Sequence, residues 1–172
     1  QADNMMSKKP IFLIGMMGSG KSSLALALAT ALKVPVYDTD LEIEKLTGYS
    51  VSELFGEFGE AYFREQEKAL IESQPTEDCV VACGGGLPCV DGMIATLLQR
   101  GSVLYLSAPA EVLYERIKGS EDRPLLTDYN GFELMLEKRK VFYEQANFII
   151  DARKAPEALL NECLTWLNKG LS

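Results

Sequence analysis

Gly15-Met16-Met17-Gly18-Ser19-Gly20-Lys21-Ser22 satisfies the pattern G-x-x-x-x-G-K-[ST] at every position. The apolar run Ile11-Phe12-Leu13-Ile14 before it has the length and composition of a buried parallel strand. Ser22-Ser23-Leu24-Ala25-Leu26-Ala27-Leu28-Ala29 after it is rich in strong helix formers. Strand, glycine-rich loop and helix in that order make a phosphate cradle. The glycines permit a tight turn whose N–H groups point at phosphate oxygens, and the helix presents its positive end to the same anion. The stretch therefore predicts a nucleoside triphosphate held by Gly18, Ser19, Gly20, Lys21, Ser22 and Ser23. Lys21 reaches the β- and γ-phosphates, and the Ser22 hydroxyl joins the coordination of Mg²⁺.

Outward from this loop, strand-like and helical segments alternate, as in a parallel α/β sheet. Strands are expected at 11–14, 35–37, 79–82, 103–106 and 148–150. Helices are expected at 21–32, 40–47, 51–58, 61–73, 92–99, 110–117, 132–145 and 155–168. The polar stretch Lys118-Gly119-Ser120-Glu121-Asp122-Arg123-Pro124 reads as a mobile surface loop. The 172 residues suit one domain spanning 11–172, with residues 1–10 a disordered or foreign N-terminus and a natural start expected within it at Met5 or Met6.

Composition narrows the function classes. Charged residues make up 24% and the hydrophobic set 47%, ordinary values for a soluble globular enzyme. No apolar run reaches transmembrane length, so no membrane partner is expected. A net charge of −8 argues against a nucleic-acid duplex as partner. Cys79, Cys83, Cys89 and Cys163 form no C-x-x-C pair and read as small apolar residues of a reducing cytoplasm. The chain has no histidine, which removes Ser-His-Asp and Cys-His catalysis and histidine metal ligation.

Several other residues carry two readings each. Asp38-Thr39-Asp40 follows the second strand, where ligands of open α/β sheets bind; the aspartates serve a metal and a substrate hydroxyl, or one caps the next helix. Arg64, taken alone, reads as a surface ion pair with Glu60 or Glu67. Cys83-Gly84-Gly85-Gly86 ends the third strand, and its bare backbone also admits a ligand closely. Arg139 sits on a charged helix face, and Arg116 and Arg123 flank the polar loop. Asp128-Tyr129-Asn130-Gly131 spells the D-x-x-G of GTPase switches, but no N-K-x-D accompanies it, so the match reads as chance. Phe148-Ile149-Ile150-Asp151 imitates a Walker B strand but reads more simply as the last core strand.

Taken together, these segments resemble the shikimate kinase family over nearly the whole stretch from Ile11 to about Pro156. The resemblance is carried by the loop 15–23, Asp38-Thr39-Asp40, Gly59-Glu60-Ala61-Tyr62-Phe63-Arg64 with Glu67, Gly84-Gly85-Gly86, Arg123-Pro124-Leu125-Leu126, and Arg139 with Tyr143. It implies a P-loop kinase-like three-layer fold: a central five-stranded parallel sheet flanked by helices, with a mobile lid and a substrate-binding helical segment. It implies ATP-dependent phosphorylation of the shikimate 3-hydroxyl by a cytoplasmic monomer using Mg²⁺. By the same resemblance Asp40 holds the substrate hydroxyls and orients or deprotonates the attacking oxygen. Arg64 and Arg139 clamp the substrate carboxylate, and the N–H groups of Gly85 and Gly86 line that pocket. Asp38 supports Mg²⁺ through water, Arg123 swings on the lid to the γ-phosphate, and Arg116 lies against the adenine, with Lys154 or Arg153 nearby. Lys21, Asp40 and Arg123 form the catalytic set. Cys83 departs from the threonine or other small residue usual there, and 119–122 makes a short lid. Another small-molecule P-loop kinase, such as a gluconate or adenylylsulfate kinase, is the alternative; nucleoside monophosphate kinases commonly end the loop Gly-Lys-Gly-Thr.

Overall fold

The computed structural model describes residues 9–74, 77–118 and 128–169. Five strands, β1 (Ile11–Ile14), β2 (Val36–Asp38), β3 (Val80–Ala82), β4 (Ser102–Ser107) and β5 (Phe148–Asp151), form one sheet. Among the described residues eight helices accompany them: α1 (Lys21–Leu32), α2 (Thr39–Thr47), α3 (Val51–Phe58), α4 (Glu60–Ser73), α5 (Met93–Arg100), α6 (Ala110–Lys118), α7 (Tyr129–Tyr143) and α8 (Pro156–Lys169). A short 3₁₀ turn, Leu87–Cys89, follows β3; the apolar periodicity had given no sign of it.

The sheet is parallel throughout, in the order β2-β3-β1-β4-β5. Strand β1 runs down its middle, with Leu13 flanked by Ala82 on one side and Leu104 on the other. Central strands covered on both faces must be apolar at every position, not at alternate ones. Phe12, Leu13 and Ile14 are accordingly fully buried, as are Val80, Val81, Val103 and Leu104. The edge strands are half-covered: Ile149 of β5 is exposed while its neighbour Ile150 is buried. Helix α1 packs on β3 and α8, and α6 packs on α7. A second, smaller core of Ile43, Leu54 and Phe63 holds α2, α3 and α4 together beside the sheet.

Local chemistry explains where helices begin. Asp38 accepts from the N–H groups of Asp40 and Leu41, which starts α2 at Thr39. Ser50 and Glu53 form a reciprocal capping box at α3. Asp128 caps α7 by accepting from the Gly131 N–H at 2.9 Å, so the helix starts at Tyr129, three residues ahead of the periodic pattern. The D-x-x-G match is thus a helix cap. Among the described residues no helix is long and apolar enough to cross a membrane.

Gly101 turns the chain from α5 into β4 against Pro10, whose carbonyl accepts from the Ser102 N–H. A Cβ at Gly101 would overlap the Pro10 carbonyl oxygen and lie 3.3 Å from Phe12 Cε2. Gly101→Ala should therefore lose about 1–3 kcal/mol of stability, read from the urea midpoint. An unchanged midpoint would show that this junction yields freely.

Candidate active site

The phosphate cradle is built before any ligand arrives. Gly15, Gly18 and Gly20 have positive φ of 150°, 85° and 92°. At Gly18 there is no room for a side chain either, because a Cβ would meet Ile117 Cγ2 and the Leu113 carbonyl at 2.9 Å. Lys21 folds back over the loop and donates to the carbonyls of Gly15 (2.7 Å) and Met16 (3.1 Å). Ser19 is buried and its hydroxyl has no hydrogen-bond partner among the described residues. Helix α1 opens at Gly20 with no side-chain cap, which leaves its first N–H groups to an anion.

An open trough beside the loop is lined by Gly18, Gly20, Lys21, Ser22, Ser23, Arg116 and Ile117. Arg116 spans its wall, donating to the Gly18 carbonyl (3.1 Å) and the Ala152 carbonyl (2.9 Å). Lys154 is not in that lining; it pairs with Glu162 of α8 at 2.9 Å. Arg153 chelates both oxygens of Asp151 at 2.9 Å, and its donors hold that carboxyl down at about 2. Arg123 lies outside the described residues, as do residues 119–122, where the lid is expected.

Across the loop from the trough, the second half of the site collects around the three glycines after β3. None of the three has the left-handed φ that only glycine adopts readily. Their requirement is space. A Cβ on Gly84 would lie 2.6 Å from Asp40 Oδ1, one on Gly85 would lie 2.9 Å from Arg139 Nη1, and one on Gly86 would overlap the Arg64 guanidinium. Consecutive residues of bare backbone thus each abut one charged side chain from α2, α7 and α4. The strip is pinned at two points. The Gly84 N–H donates to Thr39 Oγ1 (2.8 Å), and the Gly85 carbonyl accepts from the Tyr143 hydroxyl (2.6 Å). The thiol of Cys83 beneath it is buried, which pushes its pKa far up and keeps it neutral.

Of the two readings of the aspartates, the helix cap is present at Asp38, whose second oxygen faces the P-loop. One carboxylate oxygen caps α2, and the other accepts from the Ser22 hydroxyl at 3.2 Å. Arg64 likewise makes both of its expected ion pairs, with Glu60 through Nη2 (3.1 Å) and with Glu67 through Nη1 (2.6 Å). The second is no surface pair, because Glu67 is fully buried. The Arg64 guanidinium also lies over the rings of Phe55 and Phe63. Arg139 donates to Met16 Sδ at 3.5 Å, which brings it against the phosphate loop.

Glu67 is the residue that sequence reasoning undervalued, together with Thr39, Met16 and the Tyr143 hydroxyl. A signal for Glu67 existed. It stands four residues from both Phe63 and Ile71, inside the buried stripe of α4. Its Oε1 receives Arg64, and its Oε2 is buried with no hydrogen-bond partner among the described residues. Burial pushes the carboxyl up to about 7; the charge and hydrogen bond of Arg64 oppose this, and the Asp40 charge adds to it.

An anion cradle at the carboxyl end of β1, facing a carboxylate and two guanidinium groups over bare backbone, defines a P-loop phosphotransferase acting on a small anionic acceptor. The sequence pattern of the family described as shikimate kinase matches residues 17–168. The chain belongs to the shikimate kinase family. It is 40% identical over 157 residues to the shikimate kinase of Persephonella marina, covering 90% of this chain and 96% of that protein. Its fold superposes with a TM-score of 0.85 on the shikimate kinase from Acinetobacter baumannii in complex with shikimate, at 29% identity and over 99% and 98% of the two chains. A gluconokinase from Sinorhizobium meliloti, 18% identical with a TM-score of 0.64 over 95% of this chain and 93% of that one, shares the fold alone.

Between 4.5 and about 7 the folded protein keeps a proton on Glu67 that the unfolded chain has released. This group therefore makes stability fall as pH rises through that window. Glu67→Gln carries no such titration, so its urea midpoint relative to wild type should climb from about pH 5 to about pH 8 and then level. Parallel midpoints across the range would return Glu67 to an ordinary carboxylate.

Proposed function

We propose that the chain transfers the γ-phosphoryl group of ATP to the 3-hydroxyl of shikimate, with the following division of labour. The N–H groups of Gly18, Ser19, Gly20, Lys21, Ser22 and Ser23 take the phosphates, and Lys21 exchanges its carbonyl partners for phosphate oxygens. Arg116 lies against the adenine, since it already forms the wall of the trough beside the loop. Lys154 and Arg153 are weaker adenine contacts, being engaged with Glu162 and Asp151. Arg123 on the lid neutralises charge on the γ-phosphate as transfer proceeds.

On the acceptor side, Arg64 and Arg139 grip the substrate's carboxylate, and the N–H groups of Gly85 and Gly86 line the floor. Asp40 accepts from the acceptor hydroxyl, aligns its oxygen with the γ-phosphorus and takes its proton as the new O–P bond forms and the bond from the γ-phosphorus to the β–γ bridging oxygen breaks, releasing ADP. Phosphoryl transfer asks for positioning and charge neutralisation more than for covalent chemistry. The observation that carries this reading is the row of glycines, each abutting one of Asp40, Arg139 and Arg64, with Arg139 also touching the P-loop at Met16.

The residues present fit Mg²⁺. Among the described residues no group of three acidic, cysteine or histidine side chains could cage a metal. Mg²⁺ does not need one; it keeps several waters and takes one or two protein oxygens plus phosphate. The Ser22 hydroxyl and Asp38 carboxylate, 3.2 Å apart at the mouth of the cradle, supply such hard oxygens. Ser22 would bind directly and Asp38 through water. The ion supplies positive charge to the β- and γ-phosphates when bound.

A coupled ADP-release assay with Mg-ATP should show turnover of shikimate and poor turnover of gluconate and nucleoside monophosphates. Equal rates on gluconate, or none on shikimate, would sink the assignment of acceptor. In Asp40→Asn, kcat should fall about 10²- to 10⁴-fold while ATP still binds. Undiminished turnover would remove Asp40 from the chemistry.

A further inference from the structure

The Arg64 guanidinium is shared between two acids that differ in every physical respect. Glu67 takes Nη1 at 2.6 Å and is fully buried, so it cannot leave without stranding charge in the interior. Glu60 takes the other edge, Nε at 3.3 Å and Nη2 at 3.1 Å, and its side chain is 66% exposed. Both of those bonds end on the single oxygen Oε2. A guanidinium edge is matched best by two parallel bonds to two carboxylate oxygens, so the Glu60 grip is only half of the available fork. The guanidinium plane itself is steadied by Phe55 and Phe63, at 5.7 and 5.5 Å from the ring centroids. The same guanidinium fills the space that a Cβ on Gly86 would need, on the floor of the proposed acceptor pocket.

We propose that Glu60 is an internal competitor for the substrate carboxylate: it occupies the Nε–Nη2 edge of Arg64 and is displaced to solvent when shikimate binds. The inference rests on the reading of Arg64 as part of the carboxylate clamp. Displacement is cheap because an exposed ion pair is weak and Glu60 returns to water. The incoming anion gains because it forms the two-oxygen fork that Glu60 does not. Glu67 stays in place and holds the guanidinium while the partner on its other edge changes. The arrangement also discriminates: a neutral alcohol cannot expel Glu60, so the clamp opens only to an acceptor that brings its own carboxylate.

The test is calorimetric binding of shikimate, with KM alongside, for wild type, Glu60→Gln, Glu60→Ala, Arg64→Ala and the double variant Glu60→Gln/Arg64→Ala. Circular dichroism and the urea midpoint check that each is folded. Removing the competitor should tighten shikimate about two- to five-fold in both Glu60 variants. In the Arg64→Ala background the same Glu60→Gln change should have no effect. Unchanged or weaker binding in the single Glu60 variants would overturn the proposal. So would tightening that persists without Arg64, since it would mean a generally looser pocket. Failure of the underlying reading looks different: Arg64→Ala would then bind shikimate as wild type does.

Discussion

Strand β3 lies between β1 and β2, and the loops leaving all three strands run off the same edge of a parallel sheet. The rest of the site depends on that insertion. It sets the loop after β3 between the P-loop and the Asp38-Thr39-Asp40 turn, where each can be bonded to the next. Gly84 is tied to Thr39, Ser22 to Asp38, and Arg139 to Met16. Strands β1 and β3, wholly buried, do not shift independently, and β2 is hydrogen-bonded along β3. Three short loops, flexible on their own, are therefore held as one surface.

On that surface, charge alternates with little room to spare. Asp40, Glu67, Arg64 and Arg139 surround the glycine strip, and the Asp40 and Arg139 charges both bear on Glu67. An ion pair as buried as Arg64–Glu67 contributes little net stability. Its use here is geometric: it fixes the long Arg64 side chain beside the glycine strip, and under the proposed role a side chain so held does not have to be ordered on binding. The elevated pKa of Glu67 is the trace of that arrangement, since a carboxyl placed for position and not for solvation resists ionising.

The framework was largely legible in the chain. Strand β1 and helices α1 and α3 have the bounds that pattern and propensity assign, because glycines and caps mark their ends locally. Helix α7 begins earlier than its apolar period implies, since a cap can extend a helix beyond its buried face. The P-loop residues stood out because their partners lie within a few positions of one another. Arg64 and Arg139 did not stand out alone. The contact of Arg139 with Met16 spans 123 positions and that of Tyr143 with Gly85 spans 58, and no local pattern encodes such distances. Only the ordered set of segments, matched to a family, singled them out. Glu67 was hidden for another reason: a charged residue in a buried stripe contradicts the rule used to find the stripe.

Asp38 divides its carboxylate between the start of α2 and the hydroxyl of Ser22. Such a position has almost no neutral drift open to it. Asparagine keeps the cap but gives up the charge, while glutamate keeps the charge on a stem too long to cap. The bond from Ser22 also joins two helix starts that lie far apart in the chain. Ser22, in the first turn of α1, holds the residue that anchors the first turn of α2, and Asp40 stands in that turn. The two helix starts are in this way one bonded unit, with Asp40 two residues along the chain from the bond that joins them.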